Sequence, residues 1–214
     1  MVDKSNEYGY IPSSPTQARG SNTGIFGVND IVDLLNAEQW SGDFGSYKLI
    51  TEASFSASSS VQITTLDESL YDVHFFTLQL TGAHQGHTIF LDMSTNGGTS
   101  YITDDFLYAT EDVNTVGGYD TDQSNDLYGI QIMGGVDSNI GSATYGYIHH
   151  AGDSNNRTFT TFQSFASQGG DQGYFMAEYG GGVRPTADTI NAIRFYPNTG
   201  TMTGSYKLFG LKQE

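Results

Sequence analysis

The stretch IFLDMSTNGGTSYI, residues 89–102, decides the fold class. Ile89, Leu91 and Met93 alternate with Phe90 and Asp92, the two-residue period of a strand. Asn96-Gly97-Gly98 then supplies residues suited to positive φ, and Ser100-Tyr101-Ile102 is expected to return as the second strand of a hairpin.

Working outward, further short strand patterns are expected at 47–51, 61–65, 73–80, 127–133, 144–149, 158–165, 174–179, 189–196 and 205–211, with Gly, Asn, Asp and Ser clusters between them. The apolar positions change parity between Phe75 and Phe76 and again between Ala192 and Ile193, and a bulge would explain each change. In the last strand Tyr206 and Leu208 should face one side, with Lys207, Phe209 and Leu211 on the other. With no helical crossovers between the strands, the pattern reads as an all-β, antiparallel double sheet over 46–214. Composition agrees. The chain of 214 residues holds 27 Gly, 14 Tyr and 13 Phe, a mix that favours turns and pleated surfaces.

Residues 1–45 read differently. Up to about residue 24 the chain is small, polar and proline-containing, without apolar periodicity, so it reads either as a disordered leader or as an extended arm that orders on a partner. One short helix is expected over 28–40, where Ile31, Leu34 and Leu35 share a face and Asn29 or Asp30 caps the first turn. Its stripe, flanked by Ile25, Phe26 and Trp40, must pack either on its own domain or on another subunit.

Twenty-four acidic against eight basic residues give a net charge of −16. Between Lys48 and Arg157 no Lys or Arg occurs, while fourteen Asp and Glu do. Such a belt repels phosphate backbones and anionic lipid, so neither nucleic-acid binding nor membrane insertion is expected. It reads equally as a solubilising surface. Nothing at the start reads as an export signal, and zero cysteines remove disulfides and thiolate chemistry.

No hydrolase elbow, zincin helix, phosphate loop or dinucleotide turn is present, and no catalytic residue is assigned. His84 and His87 flank a turn that reads as two exposed histidines without a third metal ligand. Asp120, Asp122 and Asp126 place oxygens at every second position of DTDQSND, as a calcium loop does, so a structural calcium is weighed against a plain solvated loop. Asn125 and Gln131 stand where an EF-hand needs Gly and Glu. Tyr119, Tyr128, Tyr145 and Tyr147 are expected in or beside glycine-rich loops and are candidates for stacking on a host-surface glycan.

The runs FLDMSTNGGTSYITDDFLY (90–108) and ADTINAIRFYPNTGTMTGSYKLFGLKQE (187–214) resemble the C-terminal sandwich of fibre, knob and decoration proteins of tailed bacteriophages. The segment SNTGIFGVNDIVDLLNAEQW (21–40) resembles a linker of marine-phage structural proteins. The resemblance implies a jelly-roll-like β-sandwich, a homotrimer, and a non-enzymatic module on the outer surface of capsid or tail. Residues 1–45 would attach it to other virion proteins, and the last strands would lie near the trimer axis. A glycan-binding adhesin is the alternative, and a virion-borne glycan-degrading enzyme with two carboxylates across a cleft is the lesser one.

Overall fold

The computed structural model describes residues 17–18, 21–22, 47–83, 87–103, 105–124, 129–136, 141–168 and 174–211. The chain divides between Ser46 and Tyr47. On the first side, β1 (Gln17–Ala18) and β2 (Ser21–Asn22) pair antiparallel. The helix expected over 28–40, and with it Ile25, Phe26, Ile31, Leu34, Leu35 and Trp40, lies outside the described residues.

From Tyr47 on, the described residues are all-β and form two antiparallel sheets. The larger has the order β3-β14-β5-β10-β11-β12-β7-β8, the smaller β4-β13-β6-β9. The large sheet comprises β3 (Tyr47–Ser58), β5 (Val73–Ala83), β7 (Leu107–Asn114), β8 (Tyr119–Ser124), β10 (Ser142–His149), β11 (Phe159–Gln168), β12 (Tyr174–Val183) and β14 (Met202–Leu211). The small sheet comprises β4 (Val61–Ile63), β6 (His87–Ser94), β9 (Ile130–Val136) and β13 (Ala192–Pro197). The chain passes repeatedly from one sheet to the other, and the central strands of the two sheets turn apolar rows toward the space between them.

That space is the core. Phe76, Leu78 and Leu208 from the large sheet and Leu91, Ile132 and Phe195 from the small one are fully buried in one cluster. The Phe76 and Phe195 rings meet across the sheets at 5.4 Å. Each such side chain contributes on the order of 1.5–3 kcal/mol by leaving water. In β14 the alternation works as read: Tyr206 and Leu208 are buried, Lys207 is exposed, and Phe209 and Leu211 are half-buried on the other face.

Several expectations are corrected. The register of β5 against β10 runs without interruption from Val73 to Leu80, so no bulge separates Phe75 from Phe76. Phe76 enters the core, while Phe75 joins a ring cluster on the opposite face. The register of β13 on β6 is likewise continuous through Ala192 and Ile193, because both faces of β13 are covered. The 89–102 hairpin forms only its first strand. Gly97 and Gly98 take φ of +68° and +82°, but 101–103 joins no sheet, and a single Ile102 N–H to Met93 O bond marks the return. The two sides of β6 are taken by β13 and β9, from distant parts of the chain. His87 opens β6 as a buried residue, not in an exposed turn, and His84 lies outside the described residues.

The outer face of the small sheet is closed by the segment after β6. Arg194 lies between the rings of Tyr101, at 4.6 Å, and Tyr196, at 4.7 Å. Its Nε and Nη2 donate to Asp92 Oδ2 at 2.8 and 2.6 Å, and Asp92 is fully buried. Phe90 stacks on Tyr196 at 5.7 Å. Burial, followed by the Asp92 charge, pushes the Tyr196 phenol up to about 12.

Candidate binding surface

Strand alternation gives the large sheet a second, outward row of side chains. On its four central strands that row is Phe75, Thr77 and Gln79 of β5, Ala143, Tyr145, Tyr147 and His149 of β10, Phe159, Thr161, Gln163 and Phe165 of β11, and Phe175, Ala177 and Tyr179 of β12. None of these is Asp, Glu, Lys or Arg. Beyond them β14 and β3 add Lys207 and Glu52, which neutralise each other at 2.7 Å, and β7 adds Glu111. A chain of net charge −16 therefore leaves one broad sheet face almost uncharged.

Rings concentrate at one end of this face. Phe75 meets Tyr147 at 5.1 Å, Tyr47 at 5.3 Å, Phe209 at 5.9 Å and Tyr145 at 6.3 Å. The pairs are tilted or edge-on, the arrangement that ring quadrupoles favour. Tyr47 and Tyr147 share a hydroxyl hydrogen bond of 2.8 Å, which pushes the Tyr147 phenol up, and Tyr145 donates to Gln163 Oε1. Even so packed, Tyr47 remains 46% exposed and Tyr145 39%. Further across, Phe165 stacks on Phe175 at 6.0 Å. Tyr119 and Tyr179 both hydrogen-bond Glu111, and that bond is the leading cause of their raised phenol pKa values.

Of the tyrosines singled out from the sequence, Tyr145 and Tyr147 come together, two residues apart on β10 and not in loops. Tyr119 stands apart at the start of β8, the far edge strand, and Tyr128 lies outside the described residues. Sequence reading missed Phe75 as a surface group and Tyr47 as its neighbour. The signal was present in the alternation of HFFTLQL, where Phe75 is in phase with Thr77 and Gln79.

The aspartates are arranged otherwise than expected. Asp120 and Asp122 lie on β8, a strand paired with β7, and not in a calcium-type loop. Pairing turns both toward the inner face beside Asp112, which sits between Asp120 and Glu178. Asp126 lies outside the described residues. Among the described residues no group of three or more His, Cys, Asp or Glu is gathered so as to hold a metal ion.

Glu178, unremarked in the sequence reading, is 2% exposed in phase with Met176 on the core side of β12. Its carboxylate accepts Gln131 Nε2 at 2.9 Å and Gly134 N–H at 2.6 Å, and the same Gln131 nitrogen donates to Asp122 at 3.1 Å. Burial pushes Glu178 above the usual carboxylate range despite these donors. Asp112 is also raised, by burial first and then by Asp120 and Asp122. These carboxylates tie β12, β8 and β9 together across the two sheets.

No family model, curated protein or solved structure matches the chain.

Proposed function

We propose that the chain is a non-enzymatic, outward-facing module of a tailed-phage particle: a jelly-roll-like sandwich that works as a homotrimer. Residues 1–45 fix it to capsid or tail, with Ile25, Phe26, Ile31, Leu34, Leu35 and Trp40 as the docking side chains. The phage assignment rests on the resemblance in 21–40, 90–108 and 187–214. The repeated crossing of the chain between the two sheets is compatible with a jelly roll.

The observation that carries the reading is the near-neutral, ring-bearing outer face of the large sheet. Two copies of net charge −16 repel each other over most approaches, and they meet at least electrostatic cost where carboxylates are missing from both surfaces. Aromatic anchors depleted of charge and set within a polar rim are also what association surfaces favour. Phe209 and Leu211 put the final strand on this face, as expected for strands near a trimer axis.

A second reading, a glycan-binding adhesin, is favoured by the exposed ring of Tyr145 beside Tyr147, since sugar faces stack on such groups. Both readings are tested on purified particles. Deleting residues 1–45 should leave a folded sandwich that no longer incorporates, and density for the chain should lie on the outer surface. Normal incorporation of the deletion rejects the attachment assignment. Retention of the intact chain on host polysaccharide, abolished by Tyr145→Ala with sedimentation unchanged, favours the adhesin.

A further inference from the structure

Residues 64–72 cross one end of the sandwich between β4 and β5 without joining either sheet. This strap plugs the core with Leu66, 1% exposed, and with Tyr71. Tyr71 lies over Gly210 of β14, where any Cβ would fall 2.2 Å from the Tyr71 ring, so only glycine admits it. The strap turns on itself through Leu70 and Tyr71 N–H groups that donate to Asp67 O at 2.8 and 3.2 Å.

Beneath it is His74, fully buried on β5. Its Nε2 lies 2.7 Å from Leu66 O, and because a carbonyl only accepts, Nε2 carries the hydrogen. Nδ1 is then the lone-pair nitrogen, and it is buried with no hydrogen-bond partner. At the other end of the strap, His150 N–H donates to Asp72 O at 2.8 Å, and its Nδ1 is 3.2 Å from Asp72 Oδ1.

We propose that His74 is an acid-operated latch: a proton taken from water by Nδ1 releases the Leu66 end of the strap and uncovers the end of the core. The imidazolium would hold a second N–H with no acceptor and a charge in an apolar site, a cost relieved only by opening. Around His74, β10 places Ile148 and β14 places Gly210 directly opposite, both uncharged. The strap contributes Asp67, Glu68, Asp72 and the Tyr71 ring, edge-on at 6.3 Å, and His149 and His150 follow Ile148.

Burial lowers the His74 pKa below its ordinary 6.5, outweighing both the hydrogen bond to Leu66 O and the three carboxylates, all of which favour protonation. The sign follows. The open form binds the proton more readily than the closed one, so latch stability is complete above about pH 6.5 and is lost progressively below it. The backbone bond from His150 N–H to Asp72 O does not titrate, so the strap should stay tethered at that end.

Hydrogen–deuterium exchange on the full chain, normalised to intrinsic rates, tests this at pH 7.5 and 5.5. The Leu70 and Tyr71 amides should lose about 10-fold in protection at the lower pH, the effect of one unit below 6.5, while β6 amides keep theirs. His74→Gln retains a donor within reach of Leu66 O and cannot titrate, so its strap should be equally protected at both pH values. Unchanged wild-type protection, or an equal loss in His74→Gln, overturns the proposal. An NMR titration of the wild-type His74 ring decides it independently of any variant. A midpoint below 6.5 that coincides with strap opening is expected, and full protonation with the strap still closed contradicts it.

Discussion

The two sheets treat their outer faces in opposite ways. Behind the small sheet, Phe90, Tyr196, Arg194 and Asp92 are covered by the segment carrying Tyr101, so aromatic and ionic groups become interior. Across the large sheet, rings of the same kinds stay open to solvent, with no strand or loop among the described residues laid over them. Ring content therefore does not mark a binding face. What marks it is whether the chain spends a segment of its own to cover the rings, and among the described residues it does so on one side only.

The comparison breaks first at Arg194. If the small sheet's outer face is interior, Arg194→Ala strands the Asp92 carboxylate in a buried site and should cost about 3–5 kcal/mol in urea unfolding. A loss under about 1 kcal/mol, the scale of exposed pairs, would put that face in solvent. Between the sheets, Leu208→Ala should cost about 2–5 kcal/mol as a core truncation. A negligible change would show that Leu208 does not pack across to the small sheet.

On the open face the expectation reverses. Tyr145→Ser should cost no more than about 1.5 kcal/mol in unfolding stability, the scale of one ring pair, yet weaken association between copies. A larger stability loss at a concentration where the protein is monomeric would mean the ring is structural.

Smallest of all is the effect at Asp112, whose carboxylate is raised and therefore costs stability when ionised. Asp112→Asn should melt slightly higher than wild type at pH 7. The gain should fade as pH falls toward the carboxylate range, where wild type takes up its proton. A gain that persists in acid would trace it to packing instead of charge.

Much of this was legible in the residues, and the exceptions have one physical origin. The alternation of SYKLFGL placed Tyr206 and Leu208 inward because a single buried face suffices to set their phase. In VHFFTLQL a pattern with apolar residues on both faces looks the same as a bulge, and only the neighbours of Phe75 distinguish them. Strands β7 and β8 were not foreseen, since LYATEDVN and YDTDQS are polar and alternate weakly. They are ordered by pairing in sequence on β12, a long-range contact invisible locally. The same holds for the return strand expected at Ser100 to Ile102, displaced because β13 and β9 occupy both sides of β6. Glu178 could have been found, as an acidic residue in phase with Met176, but its partners Gln131 and Asp122 could not.

Sedimentation tests the central claim, that the open face joins copies of the chain. At micromolar concentration and about 150 mM salt the intact chain should sediment as three copies of 23.2 kDa, more completely than at about 10 mM because screening weakens the repulsion between acidic protomers. Phe75→Glu with Tyr145→Glu, folded by circular dichroism, should sediment as a single copy. An intact chain that remains a 23.2 kDa species, or a doubly substituted one that assembles as before, would contradict the account.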